Sequence, residues 1–286
     1  MKVWIDTDIG SDVDDAVALL CAARHPDVEL VGVSTVLGRV EVRAWLAREL
    51  LDRADLAGVP VLPGAARPVS GAEPPAEAGS YGVLAPPMPR ASPEDDEARI
   101  PAIAAAMSAA GAPFHLVTIG PLGNLPRLLD RHPEVARCWQ SVTCMAGRLE
   151  GAAEYNVGAD APAAKMVCER LGPRLVGLEA CSDTLGRAET EALLDPSDPA
   201  SAFLLDCYRE YRGGREQAPL TLFDPISLLS LVVPEAFDFQ GVNVMVERDG
   251  RLRLTDDGAR VEYALSRDWG KLRPQIEALL RAGRRR

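Results

Sequence analysis

Five aspartates, Asp6, Asp8, Asp12, Asp14 and Asp15, crowd the stretch Ile-Asp-Thr-Asp-Ile-Gly-Ser-Asp-Val-Asp-Asp-Ala that follows an apolar run near the start of the sequence. Carboxylates at contact distance raise one another's pKa, so such a cluster is destabilising unless a cation or hydrogen-bond donors neutralise it. A divalent metal is the simplest remedy. Asp side chains and backbone carbonyls, with no His or Cys among them, select a hard ion, Ca²⁺ or Mg²⁺. The bland alternative is a helix start, with Ser11 or Asp12 capping and Asp14 and Asp15 favoured by the dipole in the first turn.

Two rival motifs fit poorly. An EF-hand loop counted from Asp6 would need Gly at its sixth position and Glu at its twelfth, where Ser11 and Val17 stand. A strand-terminal Asp-x-Asp also opens phosphatases with an aspartyl nucleophile, but Gly10 stands where Thr or Val is expected. Of the lysines, Lys2, Lys165 and Lys271, only Lys165 could supply the distant cation such an enzyme uses.

The elements around the cluster alternate between strand-like and helical patterns, the signature of an α/β fold: an open, mostly parallel central sheet flanked by helices on both faces. Strands are expected at Val3 to Ile5, Leu30 to Thr35, Val59 to Leu62, Phe114 to Ile119, Ser141 to Met145, Arg174 to Leu178 and Arg260 to Ala264. Helices are expected at Val13 to Arg24, Glu41 to Ala54, Ala98 to Ala110, Leu122 to Arg131 and Pro162 to Leu171. Further helices are expected across Phe203 to Arg212, from Pro225 and from Trp269. Val242 to Glu247 and Leu252 to Thr255, around Arg-Asp-Gly, read as a small antiparallel hairpin near the C-terminus. The Pro-, Gly- and Ala-rich stretch from Gly64 to Asp95 is too long for an ordinary connection and is a candidate lid. With no repeat and no linker, residues 1–286 are expected to form a single domain. Polar residues gather after several strand ends, which is where open α/β sheets bind ligands.

Composition narrows the partners. A formal charge of −11 argues against nucleic acid, whose binding needs a basic face. No apolar stretch or signal-like N-terminus points to a membrane, so a cytoplasmic location is expected. The six scattered cysteines read as buried free thiols.

Asp-Thr-Asp-Ile-Gly-Ser-Asp-Val-Asp-Asp-Ala resembles the opening motif of the inosine-uridine nucleoside hydrolase family. The likeness continues in order through Ser34-Thr35-Val36-Leu37-Gly38, Pro60 to Pro68, Gly120-Pro121-Leu122-Gly123-Asn124, Met145-Ala146-Gly147, Ala153-Glu154-Tyr155-Asn156 and Phe223-Asp224-Pro225. It implies hydrolysis of the N-glycosidic bond of ribonucleosides, with a Ca²⁺ ion holding the ribose hydroxyls and presenting a water to the anomeric carbon. Carried over, the metal ligands are Asp8, Asp15, Asp224 and the backbone carbonyl of Gly123. Asp8 serves as general base, Asp14 and Asn156 hold the ribose, and Glu154 takes its 5′ end. The resemblance also implies a homodimer or homotetramer.

The sequence departs from the family pattern in several places. Two extra residues separate Gly10 from Asp14, which leaves Asp12 unassigned, while Asp6 is expected to brace the turn. Phe223 stands where many members carry a His that protonates the leaving base, and His25, His115 and His132 offer no substitute. Tyr208 or Tyr211, on the helix before Phe223, could take that part. Arg39 and Arg148 fall near sugar- or base-contacting positions and suggest a second reading, a hydrolase of an anionic ribosyl compound clamped by guanidinium groups. A third reading is a ribose- or nucleoside-binding protein without catalysis, since fold does not fix function.

Overall fold

Strand β1 (Lys2–Thr7) is apolar from Val3 to Ile5 and buried from Val3 onward, as a central strand covered on both faces must be. In the computed structural model, which describes residues 1–74, 79–89, 93–111, 113–215 and 218–283, it lies inside a nine-stranded sheet. The chain runs outward from β1 through α1 (Asp14–Arg24), β2 (Glu29–Thr35), α2 (Val40–Arg53) and β3 (Val61–Pro63). It then crosses back through α3 (Pro93–Ala109) to β4 (Phe114–Thr118) on the other side of β1, and continues by α4 (Asn124–Arg131) to β5 (Trp139–Met145). Helices α5 (Tyr155–Ala159) and α6 (Ala161–Leu171) lead to β6 (Arg174–Val176). Helices α7 (Leu178–Cys181), α8 (Arg187–Leu193), α9 (Pro199–Arg212) and α10 (Phe223–Val232) follow, with the two-residue strands β7 (Thr184–Leu185) and β8 (Leu220–Thr221) paired antiparallel among them. Strands β9 (Phe237–Val246), β10 (Leu252–Leu254) and β11 (Ala259–Arg267) and helix α11 (Trp269–Arg281) finish the fold.

The sheet order is β10-β9-β11-β6-β5-β4-β1-β2-β3, parallel from β11 to β3 with an antiparallel edge at β9 and β10. Strand order reverses between β1 and β4, and a crevice opens beyond the carboxyl ends of strands at such a reversal. Two apolar cores lie on opposite sides of the sheet. One contains α1, all of whose residues are buried because it packs against α2, α9, α10 and α11 together.

The expected elements are present, with shifts that have physical causes. The C-terminal hairpin forms, but β9 starts at Phe237, because its pairing with β11 runs from Phe237 opposite Arg267 to Val244 opposite Ala259. The strand expected to reach Leu178 stops at Val176, where Gly177 turns the chain into α7. Within the long segment, residues 79–89 pack on the acidic loop: Tyr81 is fully buried and its hydroxyl donates to the Asp12 carbonyl at 2.9 Å. Gly79, at φ +73°, lies so close to Gly10 that a Cβ there would sit 2.1 Å from the Gly10 carbonyl oxygen. Residues 75–78 and 90–92 of the candidate lid lie outside the described residues. No described helix is long and apolar enough to cross a membrane.

Candidate active site

The acidic loop is held from beneath by polar groups on neighbouring strands. The Trp4 indole donates to Ser34 Oγ at 3.0 Å, and Ser34 Oγ donates to Asp6 Oδ1. Asn124 donates to the same oxygen at 2.7 Å and to the Thr35 carbonyl at 3.1 Å, while its own amide oxygen accepts the Ala65 N–H at 2.8 Å. Asp6 is therefore the brace, as its place before the loop suggested. Burial raises its pKa to about 7. Beside it, the end of β4 approaches so closely that a Cβ on Gly120 would stand 2.8 Å from the Asp8 nitrogen and 2.9 Å from its carboxylate.

Above this support lies a cavity of about 580 Å³ with Asp8, Asp14, Asp15 and Asp224 in its lining. Asp14 and Asp15 open α1, and Asp224 is the second residue of α10, which packs on α1. Carboxylate oxygens of Asp14, Asp15 and Asp224 lie within 4.8 Å of one another, and all three residues are buried. Burial first, and the neighbouring carboxylates next, push all three well above the usual carboxylate range. Burial also raises Asp8, and the adjacent Arg43 guanidinium pulls it back down. Asp8 Oδ2 is buried with no hydrogen-bond partner. Thr7 Oγ1 donates to Asp15 and accepts the Ile9 N–H at 3.0 Å, which fixes the turn.

Of the helix-start alternative, Asp14 and Asp15 do lie in the first turn of α1, but Val13 occupies the cap position and no side chain caps it. Asp12 instead accepts the Thr221 hydroxyl and the Val13 N–H, both at 2.7 Å, and so ties the loop to β8 at the cavity edge.

The walls come from β4, β5 and the segments after them. Asn156 donates to the carbonyls of Ile119 at 3.2 Å and Met145 at 3.0 Å, which leaves its amide oxygen as an acceptor. Glu154 caps α5: one oxygen accepts the Asn156 N–H at 2.6 Å and the other the Gly147 N–H at 2.9 Å and the Val157 N–H at 3.1 Å. Both line the cavity, so capping and ligand contact are compatible. Tyr155 (53% exposed), Leu178, Met145 and Phe223 give an apolar upper wall.

Several expected positions lie elsewhere. The Gly123 carbonyl accepts Arg127 Nη1 at 2.7 Å and does not line the cavity, so a guanidinium holds the oxygen expected to meet a metal. From this segment it is Ile119, four residues earlier and just past the end of β4, that lines the cavity, and its carbonyl accepts the Asn156 amide; a backbone donor leaves no side-chain signature to locate it. Arg39 donates to the Met88 carbonyl at 2.8 Å, Arg148 is exposed and flanks Gly151, and neither lines the cavity. Among the described residues the lining contains no Lys, Arg or His. Tyr208 spends its hydroxyl on the Ala218 carbonyl at 2.8 Å. Tyr211 is outside the lining; burial and the Asp12 carboxylate raise it to about 12, which makes it a poor acid. Arg43, fully buried beside Asp8, was not anticipated. Its signal was a charge on the apolar stripe of α2 formed by Val40, Leu46 and Ala47.

Residues 3–273 match the family model described as inosine-uridine preferring nucleoside hydrolase. The non-specific ribonucleoside hydrolase RihC of Escherichia coli is 31% identical over 281 residues, covering 93% of this chain and 90% of its own. Among solved structures, a plant nucleoside hydrolase superposes with a TM-score of 0.81 at 22% identity, covering 98% of this chain and 99% of its own. A purine-preferring ribonucleoside hydrolase from Gardnerella vaginalis gives 0.78 at 22% identity, with 98% and 99% covered.

Proposed function

This chain belongs to the inosine-uridine preferring nucleoside hydrolase family, and from that premise we propose that it cleaves the N-glycosidic bond of neutral ribonucleosides to free base and ribose with the help of bound Ca²⁺. The observation that carries the reading is the buried floor of Asp14, Asp15 and Asp224 beside Asp8, beneath a cavity large enough for a nucleoside. Mutually repelling buried carboxylates, with one oxygen of Asp8 left without a partner, suit a hard cation. Asp14, Asp15 and Asp224 would hold it, with Asp8 alongside and the Ile119 carbonyl in place of Gly123. When bound, such an ion polarises a water and binds vicinal ribose hydroxyls.

The chain's own groups do the rest. Asp8 accepts the proton of the attacking water as general base. Asp14 and the Asn156 amide oxygen accept ribose hydroxyl protons, and Glu154, already oriented by three backbone N–H groups, accepts the 5′-hydroxyl. As the C–N bond breaks, the sugar ring gains positive charge, and the surrounding carboxylates stabilise it. An acidic lining without cationic side chains among the described residues favours neutral nucleosides over the anionic ribosyl compounds suggested by Arg39 and Arg148. We further read residues 1–286 as one domain, cytoplasmic, and acting as a homodimer or homotetramer.

Reducing-sugar release from uridine, inosine and their 5′-monophosphates, with and without a chelator, tests the reading. Release from the nucleosides is expected, suppressed by chelation and weaker for the monophosphates. The Asp8→Ala variant should lose roughly 10²- to 10⁴-fold in turnover. Nucleoside binding without release would favour a non-catalytic binding protein.

A further inference from the structure

Arg43 is among the largest fully buried side chains of the molecule, and it sits behind the acidic loop. Its Nη1 donates to the carbonyls of Asp8 and Ile9, the latter at 3.0 Å, and to Ser11 Oγ at 3.0 Å. The same nitrogen lies 3.9 Å from Asp8 Oδ2. Its Nε donates to the Leu37 carbonyl at 2.7 Å. Leu37 has a φ of +66°, a left-handed conformation unusual for a non-glycine residue and maintained only where the surroundings over-determine it. Here the Leu37 N–H donates to the Ala65 carbonyl at 2.9 Å while Arg43 holds its carbonyl. One guanidinium thus stitches the loop after β1 to the loop after β2.

We propose that Arg43 is a positioning residue for the general base: its Nη1 holds the Asp8 and Ile9 carbonyls and the Ser11 hydroxyl while its Nε holds the Leu37 carbonyl, so that the Asp8 carboxylate meets the attacking water in register. The inference rests on the nucleosidase reading above. The extra residues of this loop explain the need, because a longer connection before α1 has more conformations to suppress. A lysine in the same place would retain the charge but offer a single nitrogen, which cannot hold the Leu37 carbonyl and the loop after β1 at once. A role in placing a base affects the transition state more than substrate binding, and small misplacements are costly.

The test compares Arg43→Lys and Arg43→Met with wild type, alone and in an Asp8→Asn background, using uridine with saturating Ca²⁺. Thermal melting confirms folding at the assay temperature. The expected result is a loss of about 10- to 100-fold in kcat for Arg43→Lys with KM within about threefold. In the Asp8→Asn background the same substitution should cost less than about twofold, because its effect passes through Asp8. The calcium-dependent rise in melting temperature should persist in Arg43→Lys. Wild-type kcat in Arg43→Lys, an equal fold-loss in both backgrounds, or disappearance of the calcium-dependent rise would each overturn the assignment. If Arg43→Met does not fold, Arg43→Lys and the double-mutant comparison decide. Absence of ribose release by wild type would instead refute the nucleosidase reading itself.

Discussion

The residue that sets this site apart chemically is Phe223. It opens α10 directly before Asp224 and faces the cavity together with Leu178 and Tyr155, so the side of the pocket opposite the carboxylates has no histidine, lysine or arginine among the described lining residues. A departing base must then leave without a proton from an imidazole. Substrates whose leaving group is stable as an anion should consequently react faster: a nitrophenyl riboside is expected to exceed inosine in kcat by roughly 10²-fold, the scale of one general acid. Phe223→His should raise turnover of inosine and leave that of the nitrophenyl riboside nearly unchanged. Equal wild-type rates on the two substrates would refute this account and point to a proton donor outside the described lining.

At the scale of elements, the site depends on how closely the ends of β1 and β4 approach. Gly120 permits that approach, and Gly120→Ala would press a methyl group against the Asp8 nitrogen and carboxylate. Such overpacking costs about 1–3 kcal/mol, and the displacement of Asp8 should lower turnover by about 10-fold or more; urea unfolding and steady-state rates measure the two effects separately. The same geometry shows what was legible in the sequence. Residues with side-chain chemistry, such as Asp8, Asn156 and Asp224, could be picked out because spacing and residue type carry the signal, and the structure gathers them around one cavity. Backbone donors carry no such signal, which is how Gly123, whose carbonyl Arg127 holds, came to be expected at the cavity that Ile119 lines. In a sequence this rich in arginine, Arg43 stands out only by its place on an apolar helix stripe, whereas Arg39 and Arg148 stand at motif positions. The two-residue strands β7 and β8 lack the length for any periodicity, and only tertiary pairing reveals them.

For the molecule as a whole, the buried carboxylates are a liability that a bound cation converts into stability. Ligand binding to the folded state alone contributes about 2.7 kcal/mol at a hundredfold excess over Kd. For a chain of this size that corresponds to a rise of roughly 4–5 °C in melting temperature when Ca²⁺ replaces chelator near neutral pH. Asp224→Ala should remove most of that rise, and a calcium-independent melting temperature in wild type would contradict the metal assignment. The fold adds a temporal consequence. Asp8, Asp14 and Asp15 lie at the start of the chain, whereas Asp224 arrives only with α10, whose packing on α1 completes the floor. A nascent chain emerging from the ribosome can pair β1 with β2 and later with β4, and once α2 is made its acidic loop has Arg43 as a nearby cation. The acidic floor thus closes only after α10 has been made and has packed on α1.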